Sequence, residues 1–432
     1  EVFGSKGKVK KEEIPAATQL FTPDWIVRYM VENSLGRYWL ESNQNQDLKN
    51  KWDYYLEEAE QEPEVEKELK EIRDRNVEPE EITFLDPAAG SGHILVYAFE
   101  VLYDIYKSAG YMESSIPQLI LNKNLYGLEI CDRAAQLASL SVMMKAREKD
   151  SRIFEKEVSL NIVSIQESNI INNETINLLV DNLEENKYKN YVENDLKYLI
   201  DLYKNAKNYG SILKIDKAIS IDLINKALDN LKDKDIDLFE GRNRGIVIEL
   251  LPKLLEQYEI MKKKYDIVVT NPPYMGSGKM NKKLKSYLKL NFNISKRDLY
   301  SVFIEKCLNY SLENRYVGMI TQHSWMFLIS FEKLRHKLIN YTSIESMNHL
   351  GANAFEEING EVVQTTSFIL YKYKNLQFKG NYSRLVNLKN PNEKRKGFLN
   401  QNNLYKRKIN KFTKMPGFSI AYWIKENSFD IF

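Results

Sequence analysis

A parallel, doubly wound α/β sheet with helices on both faces is the fold this sequence predicts. Three stretches predict it. "EITFLDPAAGSGHILVYAFEVLYDIY", "LYGLEICDRAAQLASLSVMMKA" and "YDIVVTNPPY" each run a short apolar strand into a turn, and the first two continue into a helical pattern. Strands that alternate with helices favour parallel pairing, because parallel neighbours need a crossover and the helix supplies it. "LNIVSIQES" adds a strand that ends near Glu167, and "YVGMITQHSWMF" adds another, followed by the helix "SFEKLRHKLI". "GEVVQTTSFILYKYK" is expected to supply late strands as a hairpin pair.

Ahead of the sheet, "TQLFTPDWIVRYMVENSLGRYWL" reads as a loop and an amphipathic helix, with Thr22 as N-cap and Pro23 at the first helical position. The organisation expected is an N-terminal helix segment (1–50), an acidic helical insertion (51–82), the first half of the sheet domain (83–170), a helical insertion (171–262), the second half (263–375) and a basic segment (376–432). The acidic stretch from Asp53 to Glu81 is poor in core residues and is expected to be solvated.

Net charge is only +2, yet between Lys372 and Lys414 thirteen Lys and Arg face one acid, Glu393. Aromatics are interleaved there, at Tyr373, Phe378, Tyr382, Phe398, Tyr405 and Phe412. Such a mixture suits a phosphate backbone and unstacked bases, and Lys394, Arg395, Lys396, Lys406, Arg407 and Lys408 are the candidate contacts. No apolar run reaches the ~18–20 residues that span a membrane, so no membrane partner is expected. Cys131 and Cys307 stand far apart, and the four histidines form no metal-binding pattern. A reducing, cytoplasmic setting without a bound metal is the expectation. Because the sequence opens on Glu1, it is expected to be part of a larger polypeptide.

The chemistry concentrates at two turns. In "DPAAGSG" (86–92), Ala88, Gly90 and Gly92 let the backbone approach a ligand, while Asp86 would repel a phosphate and suit an ammonium group. Glu129 ends the next strand, where dinucleotide folds bind a ribose diol. An adenosine carrying a cationic amino-acid tail, S-adenosylmethionine, fits both. In "IVVTNPPYMGSG" (267–278) the strand stops at Asn271, because Pro272 and Pro273 cannot donate to a ladder, and Tyr274 adds a flat face. A stiff turn of this kind can grip a planar amine.

The order "FTP", "DPAAGSG", "GLE", "NPPY" resembles the gamma-type amino-methyltransferases that modify adenine N6 in DNA. Longer stretches, including "LNIVSIQESN" and "YGSILKI", are similar to the methyltransferases of BREX phage-exclusion systems. The turn departs from the usual family form at Ala89, where Cys is common, and at His93. The resemblance implies a Rossmann-like methyltransferase that takes a methyl from S-adenosylmethionine to adenine N6 in double-stranded DNA after base flipping. Its C-terminal segment would lead into a target-recognition region, and other BREX defence proteins would be partners. Thr22 would bind the cofactor's carboxylate, with Pro23 setting the turn, and Asp86 would meet its amino group, Glu129 its ribose and Glu167 its adenine. Asn271 and the Pro272 carbonyl would hold N6, with Pro273 stiffening the turn. Tyr274 and Phe355 would stack on the flipped base. The alternatives are the methylase part of a restriction-modification enzyme, an RNA methyltransferase and a protein-glutamine methyltransferase. A non-catalytic DNA-binding scaffold is disfavoured by the intact motifs.

Overall fold

One sheet organises the residues described by this computed structural model, which are 21–429 apart from 74, 184, 233–240, 356–362 and 402. Its strands are β1 (Phe84–Asp86), β2 (Leu125–Glu129), β3 (Asn161–Ser164), β4 (Tyr265–Thr270), β5 (Ser311–Gln322), β6 (Ser343–Gly351), β7 (Thr365–Tyr371), β8 (Lys379–Arg384) and β9 (Leu404–Lys408). They lie in the order β3-β2-β1-β4-β5-β7-β6-β8-β9. The first five are mutually parallel, as the sequence predicts. Beyond β5 the sheet is mixed: β7 runs antiparallel between β5 and β6, and β9 runs antiparallel to β8. From β1 the chain moves outward to β2, and from β4 it moves the other way to β5. The strand order therefore reverses between β1 and β4, and open α/β sheets bind ligands beyond the strand ends at such a point.

β4 is buried at every position, which is why its centre, Ile267, Val268 and Val269, reads as an apolar run. Helix His93–Ser108 follows β1 and helix Asp132–Lys149 follows β2. Gly92 joins them closely. It has φ +87°, and a Cβ there would lie 2.8 Å from the Ala138 backbone, so both conformation and packing demand glycine.

The N-terminal helix Asp24–Val31 passes through a π turn, Glu32–Gly36, into helix Arg37–Ser42. Met30 brings its backbone carbonyl against β5 at Gly318, and the Tyr29 hydroxyl bonds the Ser346 hydroxyl of β6 at 2.8 Å. Thr22 is not the N-cap expected. Pro23 holds that position without a side-chain capping bond, because the Thr22 hydroxyl is turned inward.

Three further expectations are corrected. The late strands pair otherwise than expected: the described part of 360–374 gives one strand, β7, which runs antiparallel to β5 and to the preceding strand β6, while 360–362 lie outside the described residues. β6 was illegible because its buried face carries Ser343, Glu345, Ser346, Asn348 and His349. Arg37 lies 3.4 Å from Glu345, so the first helical segment supplies what that strand lacks. The acidic stretch is not a solvated insertion either. Trp52, Tyr54, Leu56, Val65 and Leu69 are buried. Glu32 accepts the Tyr54 N–H at 2.7 Å and Asn33 accepts the Leu56 N–H at 2.8 Å, so the π turn zips the stretch to the helix. Glu62 then ion-pairs Lys379 and Lys408 at 2.9 and 3.1 Å, reaching the far edge of the sheet.

The basic segment is largely consumed by its own fold. Lys394 is 0% exposed and donates to the carbonyls of Leu350, Leu385 and Leu388 at 2.6–3.0 Å. Burial lowers its pKa to about 8. It is a structural cation and not a surface contact. Arg395 donates to the Tyr54 hydroxyl at 2.5 Å, and Arg407 to the Ile424 carbonyl at 3.0 Å. Arg395, Lys396 and Lys406 remain exposed. Phe378, Tyr382, Phe398 and Phe412 are core residues and offer no face to a base.

Two outcomes follow. Gly36→Ala improves helix propensity by up to ~1 kcal/mol, but the new Cβ would lie 2.8 Å from the Trp52 ring. Overpacking costs about 1–3 kcal/mol, so the melting temperature falls; a rise would mean that Trp52 yields. Lys394→Ala is expected to lose about 2–4 kcal/mol in denaturant unfolding, because three buried carbonyls lose their donor. Unchanged stability would contradict its structural role.

Candidate active site

Four chain segments converge beyond the ends of β1 and β4: the loop at Phe21 and Thr22, the Gly-rich turn, the end of β2, and the turn after β4. They enclose a cavity of about 190 Å³. Asp86 forms its floor and is fully buried. Its Oδ1 accepts from the Thr270 hydroxyl at 2.7 Å and from the Ala88 N–H at 3.0 Å. Its Oδ2 is buried with no hydrogen-bond partner among the described residues. Burial pushes the carboxyl up to about 7, against the pull of Thr270 and Ala88. A donor, best a cation, is what that oxygen lacks.

Glu129 sits across the Gly-rich turn. Its two oxygens accept from Gly90 N–H at 2.8 Å and Cys131 N–H at 3.0 Å. Burial raises its pKa, and the backbone donors from Cys131, Gly90 and Ile130 oppose the rise. Gly90 has φ +55°, and a Cβ there would meet nothing within 4 Å. Conformation, not packing, calls for glycine there, and the backbone beside it is left open to a ligand.

On the opposite side, Asn271 follows β4. Its Nδ2 donates to Thr22 Oγ1 at 3.0 Å. The "FTP" and "NPPY" motifs, 249 residues apart, therefore touch. Pro273 lines the cavity and Pro272 is buried behind it. Tyr274 is half-buried. Its hydroxyl donates to the Ile320 carbonyl at 3.1 Å, and its ring meets Tyr300 edge-on with centroids 6.1 Å apart. The ring is thus mounted on β5 by its hydroxyl.

The cavity gathers Thr22, Asp86, Ala88, Gly90, Glu129, Asn271 and Pro273. It does not gather all the candidates. Pro23 faces a neighbouring cleft with Asp24, Arg28 and Arg395. Gly92 acts through helix packing. Phe355 is buried in the core, and the residues after it, 356–362, lie outside the described residues. Glu167 lies three residues beyond β3, which ends at Ser164. Its carboxylate accepts from the Lys207 N–H at 3.0 Å and from Asn169 Nδ2 at 3.1 Å, and it is not among the cavity-lining residues. Strand β3 is too short to carry it there.

Sequence reasoning missed the wall on that side, which comes from Asn208, Tyr209, Gly210 and Ser211 of the helical insertion. The only signal was a Tyr-Gly-Ser run in a Lys- and Asn-rich region. It also passed over Lys279, Lys282 and Lys283, exposed directly after the "NPPY" turn. Among the described residues no cluster of His, Cys, Asp and Glu could hold a metal, and no helix is long and apolar enough to cross a membrane.

Comparison with known proteins gives the chain's family. The chain is 40% identical over 439 residues to the adenine-specific methyltransferase BrxX of Escherichia coli O9:H4 (strain HS), which covers 96% of this chain and 35% of that protein. It is 39% identical over 444 residues to the adenine-specific methyltransferase PglX of Lacticaseibacillus casei (strain Zhang), covering 99% and 36%. The chain thus spans about a third of the length of these relatives. Among solved structures, the DrdV–DNA complex superposes with a TM-score of 0.51 at 12% identity, over 96% of this chain and 33% of that one. Such a likeness concerns the fold alone. The family model described as Eco57I restriction-modification methylase matches residues 123–355, from the strand bearing Glu129 through the "NPPY" turn to Phe355. The chain belongs to the Eco57I restriction-modification methylase family.

Proposed function

We propose that this chain transfers a methyl group from S-adenosylmethionine to N6 of an adenine flipped out of double-stranded DNA, as the host-marking enzyme of a BREX-type phage-defence system. One observation carries the reading: a buried carboxylate with one oxygen that lacks a donor and an asparagine at a double-proline turn open into the same cavity. The relatives named as adenine-specific methyltransferases support it.

The residues present fit the cofactor. An ammonium group suits Asp86 Oδ2, a ribose diol suits the Glu129 carboxylate, and a carboxylate suits the Thr22 hydroxyl. That hydroxyl accepts from Asn271, so its own proton is left to donate. When bound, S-adenosylmethionine supplies a methyl group already activated on sulfur. The remaining work is positioning by the protein. Adenine N6 is a weak nucleophile because its lone pair is delocalised into the ring. Asn271 Oδ1 and the Pro272 carbonyl, accepting its two N–H groups, favour a pyramidal nitrogen with a localised pair. Commitment of Nδ2 to Thr22 sets which end of the amide meets the base. Two prolines fix φ on either side of that carbonyl, so the grip does not relax. The Tyr274 ring offers the stacking face, and the base must leave the duplex to reach it. Lys396 and Lys406 stay available for phosphates, Arg395 is exposed while its Nε donates to Tyr54, and Arg407 and Lys408 are partly buried and tied to Ile424 and Glu62.

Asn271→Ala is expected to bind cofactor nearly normally and to lose methyl transfer by at least ~10²-fold, the usual scale for a group acting in the transition state. Full N6 methylation by this variant would contradict the amine grip.

Cofactor binding should also depend on pH with a definite sign. The free Asp86 carboxyl sits at about 7, and a bound ammonium would pull it down. Binding then releases a proton, so affinity measured by calorimetry rises with pH up to about 7 and levels off. Below that it weakens by up to ~10-fold per unit. An affinity independent of pH between 5.5 and 7.5 would separate Asp86 from the ammonium.

A further inference from the structure

The helical insertion is more than an appendage, because one short segment of it is fastened to nearly every element around the cavity. The Ser211 hydroxyl donates to the Pro87 carbonyl of the Gly-rich turn at 2.5 Å, and Tyr310 donates to the Ser211 carbonyl at 2.7 Å. Lys306, buried in helix Leu299–Tyr310, donates to the Leu213 carbonyl at 2.6 Å. Glu167 holds the Lys207 N–H, and Asp132 at the start of the helix after β2 pairs with Lys207 Nζ at 2.7 Å. From the helix after "NPPY", Lys283 donates to Asn205 Oδ1 at 2.9 Å, and its N-cap Asn281 donates to Asn208 Oδ1 at 3.1 Å. Between these ties stand Tyr209 and Gly210, both lining the cavity. The half-buried Tyr209 ring rests on Tyr287 with centroids 4.6 Å apart. Gly210 has φ +59°, and a Cβ there would touch Ile130 of the turn after Glu129.

We propose that residues 205–214 form the adenine-side wall of the cofactor pocket, with Tyr209 as the ring against the purine and Glu167 as a positioning residue that holds the wall from behind. This rests on the cofactor reading given above. The company the segment keeps supports the assignment. Asp86 is assigned the amino-acid end and Glu129 the ribose, and the residues that follow Glu129 in the chain, Ile130, Cys131 and Ala134, line the cavity together with this segment, whose Gly210 lies beside Ile130. An aromatic ring and small apolar side chains suit a flat heterocycle. The wall also ties the pocket to the helix that follows the "NPPY" turn.

Two ligands separate this inference from the reading beneath it: S-adenosylmethionine, and methylthioadenosine, which keeps the adenosine and lacks the amino acid. Tyr209→Ala is expected to weaken both by a similar factor, about 5- to 100-fold for loss of one stacking face, and Tyr209→Phe to stay within about twofold. Asp86→Ala should weaken S-adenosylmethionine and spare methylthioadenosine. Unchanged methylthioadenosine affinity in Tyr209→Ala would overturn the wall assignment while leaving the cofactor reading intact. Failure of the unaltered protein to bind either ligand would overturn both. Should Tyr209→Ala fold poorly, photolabelling of the unaltered protein with 8-azido-S-adenosylmethionine decides: label on the peptide carrying Tyr209 supports the wall, and label that spares residues 205–214 overturns it.

Discussion

Burying the Asp86 carboxyl at the end of β1 costs free energy that Thr270 and the Ala88 amide return only in part, since both bond the same oxygen. The other oxygen is left facing a cavity, and most of the surrounding structure can be understood as holding that arrangement in place. Thr270 is the last residue of β4, so its bond to Asp86 fastens the two strands between which the sheet order reverses. The next residue after Thr270 is Asn271. A fixed carboxylate therefore also fixes where the amide starts.

Distant segments complete what the strand ends begin. The N-terminal helix delivers Thr22 to Asn271, and its π turn is locked by buried Glu32, which accepts from Tyr97 at 2.5 Å and from the Tyr54 N–H. Burial lifts that carboxyl to about 8. The acidic stretch then carries the fastening onward to β8 and β9 through Glu57, Gln61 and Glu62. What looks in sequence like a chain of separate insertions is a set of clamps around one crevice.

The parts legible from sequence were those governed by local rules. β4 announced itself because burial on both faces makes its centre, Ile267, Val268 and Val269, wholly apolar, and the Gly-rich turn because a positive φ at Gly90 and Gly92 demands glycine. Asp86, Glu129 and Asn271 were singled out because strand ends concentrate ligand contacts, and the structure brings all three to one cavity. The misreadings have a common origin in long-range pairing. β6 hides its buried polar residues behind partners hundreds of positions away, such as Tyr29 and Arg37. Lys394 looked like part of a basic patch because charge is visible in sequence and its three carbonyl partners are not. Tyr209 stood in a stretch noted only for its resemblance, because nothing local marks a ring whose place at the cavity depends on the bonds of Ser211 and Asn208 to Pro87, Tyr310 and Asn281.

The central claim is that one cavity joins a cation-binding carboxylate to an amine-gripping turn. The most direct test is an experimental structure of the protein with sinefungin, which carries an amine where the methyl donor has its sulfonium. The account places the amino-acid ammonium against Asp86 Oδ2, the ribose hydroxyls at Glu129 and the transfer position facing Asn271. A ligand whose purine lies at Asn271, or whose amino-acid end avoids Asp86, would contradict it.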